Sequence, residues 1–248
     1  MLESGQVRRG VPEHGRVPKY FAVKARLVTL IGEIGEGEML PPERELAARF
    51  EVSRATVRQA ISELILEGRL AARQGRGTYV APPKTIHPLE LVSYTEAVAS
   101  MGRRPGRRVV SAERIDASDE LAERLRIGKR AKVIHLERVL LTDEEPTGLE
   151  STYLPAARFP RLLEVFDPAA SLYRCLQDEL GVVFDEADER IETALASPRE
   201  ALLLETNPAQ PMLLLHRVSY DPQGVPIELV RTLYRGDRIG FSTRLRAR

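Results

Sequence analysis

The stretch Val52-Ser53-Arg54-Ala55-Thr56-Val57-Arg58-Gln59-Ala60-Ile61-Ser62-Glu63-Leu64-Ile65 decides how the first part of the chain folds. Val57, Ala60, Ile61, Leu64 and Ile65 fall at the three- and four-residue spacing of one buried helix face, and Ser53 is placed to cap its start. The side and flanks left over carry Arg54, Thr56, Arg58, Gln59 and Ser62. Those side chains suit base edges and phosphates once a helix lies in a major groove of DNA. A helix from Arg54 to Glu67, ended by Gly68, is predicted.

Upstream, Pro41-Pro42 starts a second helix, Glu43 to Phe50, with Leu46, Ala47 and Phe50 facing inward; Glu51-Val52-Ser53 is the tight turn between the two. Before it, Phe21, Ala25, Leu27, Val28 and Ile31 recur at helical spacing and predict a first helix packed on its neighbours, broken by Gly35 and Gly37. Downstream, Leu70 to Arg73 and Thr78 to Val80 flank Gln74-Gly75-Arg76-Gly77. That is a two-stranded wing with a glycine and basic tip, suited to a minor groove where a missing side chain permits close approach. A plain three-helix bundle with solvated arginines accounts for the helices but not for the Arg-rich glycine wing.

The bulk properties narrow the class. The chain has 248 residues, 43% of them hydrophobic and 29% charged, with a net charge of +1. Residues 1–80 carry a slight basic excess and the remainder a slight acidic one, so the DNA reading rests on pattern rather than charge. No apolar run approaches the roughly 18 residues of a membrane span, and the N-terminus lacks a secretory h-region. Cys175 is the only cysteine, and His14, His87, His135 and His216 are scattered. No intrachain disulfide, structural metal or cofactor is implied, and a reducing cytoplasm is expected. Cys175 reads as a small buried apolar group, and His135 and His216 as structural.

Composition divides the chain into a tail over 1–17, a helical domain over 18–80, a Pro-rich linker over 81–88 and a larger domain over 89–248. In the larger part, Ser118 caps a helix closed by Gly128, Ser171 to Leu180 reads as another closed by Gly181, and Pro198 to Glu205 as a third. Lys132 to Leu141, Thr147 to Tyr153, Met212 to Tyr220 and Val225 to Tyr234 read as strands joined in pairs by Asp143–Pro146 and Asp221–Gly224. The class is therefore α+β, built on hairpins. A faint internal echo sets His135-Leu136-Glu137-Arg138-Val139 beside His216-Arg217-Val218, each leading to a turn and then to a glutamate, Glu150 or Glu228.

Strand alternation makes those hairpins informative. It puts Ile134, Leu136, Arg138 and Leu140 on one face, Glu150 with Thr152, and Glu228 with Val230, Thr232 and Tyr234. A guanidinium, two carboxylates and hydroxyls on one sheet face suit a small polar ligand with an anionic group. A structural salt bridge between Arg138 and Glu150 or Glu228 fits the same pattern. Ser93, Thr95, Ser171 and Tyr173, taken singly, read as caps or packed side chains.

Three linked motifs resemble the GntR family of bacterial regulators: Leu40-Pro41-Pro42-Glu43-Arg44-Glu45-Leu46-Ala47, Val52 to Ala60 with Glu67-Gly68, and Gln74-Gly75-Arg76-Gly77-Thr78-Tyr79-Val80. The resemblance implies base contacts from Arg44 and Arg54, phosphate contacts from Thr56 and Arg58, and minor-groove entry at Gly75; Gln59 and Arg76 complete the candidate DNA-binding set. It also departs from the family, which usually has Ser where Pro42 stands. Arg138, Asp143 to Pro146, Glu150, Tyr153-Leu154-Pro155, Ser171-Leu172-Tyr173 and Tyr234-Arg235-Gly236-Asp237-Arg238 resemble the effector domain of the HutC subfamily, UTRA, which is similar in fold to chorismate lyase, an antiparallel sheet flanked by helices. In sugar-phosphate-sensing members that implies phosphate held by Arg138, Ser171 and Tyr173 with help near Ser93, and the sugar met by Glu150, Glu228 and Tyr234. Thr95 joins this candidate effector set. Those members have a second arginine where this chain has Leu140, which leaves the effector open.

Together these readings predict a winged helix-turn-helix joined to an effector domain. The expected protein is a non-enzymatic, ligand-responsive regulator, a repressor by the commoner outcome in the family. It would bind an inverted-repeat operator in double-stranded DNA as a homodimer, away from membranes. A lyase-type enzyme on the second domain, or a DNA-binding protein with a ligand-free sensor, stand as alternatives; the sequence has no poised nucleophile or acid–base pair to favour the first.

Overall fold

A computed structural model describes residues 18–73 and 77–246. The chain forms two compact units that divide between Pro82 and Pro83.

The first unit is built on three helices: α1 (Lys19–Ile34), α2 (Glu43–Phe50) and α3 (Arg54–Leu66). The Ser53 hydroxyl accepts from Thr56 N at 3.2 Å and so caps α3 as predicted. At α2, Pro42 occupies the capping position without a side-chain hydrogen bond, and Glu43 and Glu45 in the first turn favour the positive end of the helix dipole instead. Glu51 makes the turn in the left-handed region at φ 55°. Val23, Leu27, Leu30 and Ile31 of α1 pack with Leu46, Phe50, Val57, Ala60, Ile61 and Leu64 in one core.

One expectation for α1 is corrected: Phe21 and Ala25 are exposed, not packed inward. The buried stripe begins at Val23, and Phe21 instead lies against the Tyr20 ring at 4.9 Å. Lys24 ties α1 to α3 through Glu63 and Glu67.

The wing is β1 (Leu70–Arg73) paired antiparallel with β2 (Gly77–Val80). A third piece of chain joins it, with Met39 bridging Tyr79, Leu40 N donating to Thr78 O at 2.8 Å and Val80 N to Glu38 O at 2.9 Å. Periodicity gives no sign of this strap. Gln74, Gly75 and Arg76, the predicted wing tip, lie outside the described residues.

The second unit opens with β3 (Thr85–Pro88), α4 (Tyr94–Ser100), β4 (Pro105–Asp116), α5 (Asp119–Arg124), β5 (Lys132–Thr142), β6 (Glu145–Pro155), α6 (Leu162–Val165) and α7 (Leu172–Asp178). It continues with β7 (Glu186–Leu195), α8 (Pro198–Leu203), β8 (Pro211–Tyr220), β9 (Pro226–Arg235) and β10 (Ile239–Ser242). Part of the stretch read as a linker is thus a strand: β3 pairs in parallel with β10, Thr85 against Ile239. The main sheet has six strands in the order β4-β5-β6-β9-β8-β7, every neighbour antiparallel. The four strands predicted from sequence are its centre, and β4 and β7 are its edges.

That order is symmetric about the β6/β9 seam because a strand–helix–strand–strand unit occurs twice, as β4-α5-β5-β6 and as β7-α8-β8-β9. The match extends to detail. Ser118 caps α5 and Ser197 caps α8, and both helices are followed by a residue at φ 51°, Arg126 and Glu205. Counted from the capping serines, Arg138 matches Arg217; the strand register then matches Glu150 with Val230 and Gly148 with Glu228. The hairpins repeat in the backbone, but the sequence echo is out of step with them: neither His135 and His216 nor Glu150 and Glu228 correspond. The helices α5 and α8 cover one sheet face through Ala122 with Leu125 and Ala201 with Leu204. The other face is covered by α6 and α7 over Ile134, Leu136 and Leu154, and by Tyr94 and Val98 of α4 over Leu140 and Leu215.

Candidate functional sites

On the first unit the candidate DNA-contacting side chains lie on α2 and α3. Arg44, Arg54, Arg58 and Gln59 are exposed and Thr56 is half-buried. Glu43 organises two of them, Arg54 and Arg58. Its carboxylate takes Arg58 Nη2 at 2.7 Å and Nε at 3.1 and 3.2 Å, and Arg54 Nη2 lies 4.0 Å away. The hydrogen bond from Arg58 holds the Glu43 carboxyl below its ordinary range, against a smaller burial effect. Sequence reading named the two arginines and missed the carboxylate that positions them; the spacing from Glu43 to Arg58 carries no helical signal across the turn. The Thr56 hydroxyl is 2.8 Å from the Ser53 hydroxyl, within the cap.

On the second unit the covered sheet face holds a cavity. Its lining includes Ser93, Arg138, Glu150, Ser171, Tyr173, Glu228 and Tyr234, seven of the eight residues expected there. The eighth, Thr95, lies just outside and accepts a hydrogen bond from Arg107 Nη1 at 2.9 Å. The register explains the convergence: Arg138 stands opposite Glu150, Glu150 opposite Thr232, and Gly148 opposite Tyr234. A β-carbon on Gly148 would sit 2.8 Å from Tyr234 Cδ1, so only glycine leaves that ring its place on the floor.

Arg138 is 2% exposed. One Nη is bonded to Glu150, and the other reaches the carbonyls of Pro168 and Ala170 at 3.4 and 3.3 Å, with the Phe166 ring alongside. The salt bridge that alternation allowed is therefore present. It does not exhaust the group, because Arg138 Nε is buried without a partner among the described residues. Glu228 is fully buried; its Oε1 accepts from Tyr173 at 2.6 Å and Ser219 at 3.1 Å, while Oε2 has no partner among the described residues. Burial pushes the Glu228 carboxyl up to about 6, opposed by the Tyr173 hydrogen bond and reinforced by the charge of Glu150. Burial likewise raises the phenols of Tyr173 and Tyr234.

The hydroxyls differ in availability. Ser93 is committed to a capping box with Glu96, donating at 2.9 Å and accepting at 3.1 Å. Ser171 stands at the N-cap of α7 and makes no side-chain cap bond. Three basic lining residues fall outside the expected set: Arg107, Arg217 and His87. Arg217 pairs with Glu189 of the edge strand. His87 is buried with Nε2 unpartnered, and burial lowers its pKa to about 4, so it stays neutral. Alternation along Met212 to Tyr220 does place Arg217 on the Leu215 face; nothing local flags the other two.

Among the described residues no helix is long and apolar enough to cross a membrane, and no three His, Cys, Asp or Glu side chains group to hold a metal ion.

An exposed arginine surface on a helix-turn-helix with a wing, and a lined cavity in a separate sheet domain, match known proteins over both parts. Residues 19–80 match the bacterial regulatory proteins of the gntR family, and residues 100–239 match the UTRA domain. The chain belongs to the GntR family. It is 45% identical over 233 residues to the HTH-type transcriptional repressor PhnF of Mycolicibacterium smegmatis, covering 94% of this chain and 95% of that one. It is 35% identical over 228 residues to the HTH-type transcriptional repressor NagR of Bacillus subtilis, covering 91% and 93%. The crystal structure of the M. smegmatis PhnF aligns with a TM-score of 0.67 at 46% identity, over 91% of this chain and 100% of that one. This GntR protein is a DNA-binding transcription regulator with a UTRA effector domain, and its relatives are named as repressors rather than enzymes.

Proposed function

We propose that this protein is a cytoplasmic homodimeric repressor that binds an inverted-repeat operator and leaves it when a small polar, anionic metabolite occupies the UTRA cavity. The observation that carries this reading is the convergence of Arg138, Glu150, Ser171, Tyr173, Glu228 and Tyr234 on one cavity with donors and acceptors still unused. Unused buried donors and acceptors cost roughly 1–3 kcal/mol each, so a ligand that satisfies them binds with that much to gain. On the DNA side, Arg44, Arg54, Thr56, Arg58 and Gln59 form the contact surface, with Gly75 and Arg76 as the wing's contribution.

A switch requires that effector binding favour one state of the protein: a ligand shifts an equilibrium only by its preference for one state over the other. In a two-fold dimer the state with ligand would hold the two recognition helices at a spacing other than one helical turn of DNA.

Binding to operator DNA tests the first half. Arg54→Ala is expected to relax discrimination among operator variants by about 1–3 kcal/mol. Arg58→Ala is expected to weaken all sequences alike and to lower the salt slope by about one. Unchanged operator preference in Arg54→Ala would remove that residue from base readout. A thermal-shift screen of sugar phosphates and organic acids tests the second half; a stabilising compound that leaves DNA affinity untouched contradicts it.

A further inference from the structure

We propose that Arg107, on the edge strand β4, is the side chain that seats the anionic group of the effector, at the mouth of the cavity. This rests on the effector reading above and adds where the anion goes.

Charge is the first feature that sets Arg107 apart. Three guanidinium groups line the cavity, from Arg107, Arg138 and Arg217. Arg138 is paired with Glu150 and Arg217 with Glu189. Arg107 pairs with no carboxylate among the described residues. It is held by the Thr95 hydroxyl at 2.9 Å and lies 5.5 Å from the centre of the Tyr94 ring. A cation positioned by a hydroxyl and an aromatic face, with its counter-charge missing, is an anion site awaiting its anion.

The second is hydrogen bonding. Arg107 Nε is buried without a partner, as is Arg138 Nε. Buried donors are almost always satisfied in folded proteins, and two in one cavity call for an acceptor with several lone pairs. The uncapped Ser171 hydroxyl faces the same space. Two guanidinium groups and a hydroxyl are the donor set of an oxyanion, whether a phosphoryl or a carboxylate.

The third is position. Arg107 stands directly across from Leu140, whose side chain is fully buried, so the cation on this flank of the cavity comes from β4 and not from β5. Outside lies an open groove lined by Thr95, Phe166, Arg174 and the acids Asp167, Asp178 and Glu179, and among the described residues only Arg107 and Ser171 line both groove and cavity. An anionic metabolite entering by the groove meets Arg107 before Arg138. Burial presses against the Arg107 cation, the Glu150 charge offsets part of that cost and the Arg138 charge adds to it; a bound anion relieves the remainder.

The test is titration of the full-length protein with inorganic phosphate and with glucose 6-phosphate at constant ionic strength, read by thermal shift and calorimetry. Wild type, Arg107→Gln, Arg107→Lys, Thr95→Val and Arg138→Gln are compared, with circular dichroism showing each is folded. Saturable stabilisation of wild type by either anion is expected, weakened at least tenfold in Arg107→Gln, partly kept in Arg107→Lys, and weakened a few-fold in Thr95→Val. If Arg107→Gln binds like wild type while Arg138→Gln does not, the assignment to Arg107 falls and the anionic site remains. If wild type binds neither anion at tens of millimolar, both the assignment and the anionic-effector reading fall.

Discussion

The two halves of the UTRA sheet share a backbone plan and use their matching arginines in opposite ways. In the first half, Arg138 turns to the glutamate of its own hairpin, Glu150. In the second, Arg217 turns away from its hairpin to Glu189 on the edge strand, and Glu228 is left to the hydroxyls of Tyr173 and Ser219. The strands on either side decide this: β6 sets Glu150 across from Arg138, whereas β9 sets Val230 across from Arg217. Opposite Arg217, β7 offers an acid; opposite Arg138, β4 offers Val109, with the cation of Arg107 two residues before it. A duplicated unit has thereby acquired a cationic end at β4 and β5 and an acid-bearing end at β8 and β9. A ligand with an anionic group at one end and hydroxyls at the other fits that polarity, because Glu228 near its pKa can donate to or accept from a hydroxyl.

The largest expected effect separates the two arginines. Arg138→Ala leaves Glu150 without its charge partner in a buried setting and is expected to destabilise the domain by about 3 kcal/mol or more in urea unfolding. Arg217 and Glu189 are more open, at 16% and 18% exposure against 2% for Arg138, so Arg217→Ala is expected to cost less. Equal losses would erase the asymmetry. Next, Gly148→Ala drives a methyl into Tyr234 and is expected to cost about 1–3 kcal/mol and to blunt the ligand response; the same change at Gly224, in the turn between β8 and β9, alters no cavity contact.

The smallest effect is the dependence on pH. The Glu228 pKa is raised from 4.5 to about 6 in the folded protein, so the native state holds a proton there that the unfolded chain has already lost. Stability from this group is complete below pH 4.5 and falls as pH rises towards 6, by about 2 kcal/mol in all. Glu228→Gln is expected to remove that slope from the melting temperature, and Glu150→Gln is not. A slope that survives in Glu228→Gln would place the titration elsewhere.

How much of this was legible in the sequence follows from the same contrast. The recognition helix, its Ser53 cap and the central strands declare themselves because burial there is regular and one-sided. Seven of the eight expected cavity residues lie where alternation and resemblance placed them. Arg107 does not show itself because β4 carries a bulge between Val109 and Ser111, which flips the alternation partway and makes the strand read as an aperiodic charged run. Thr95 reaches its role only through Arg107, and the Glu43–Arg58 contact bridges two helices across a turn. The strand at Thr85–Pro88 was masked by its prolines, which a short pairing at the domain's margin tolerates.

The most direct test of the account is release of DNA under control of the cavity. Labelled operator, selected from random DNA by wild-type protein, would be titrated by fluorescence anisotropy with and without each stabilising anionic metabolite. The account predicts a compound that raises the operator Kd at least tenfold for wild type and leaves it unchanged for Arg138→Gln. Release that persists undiminished in Arg138→Gln would contradict it.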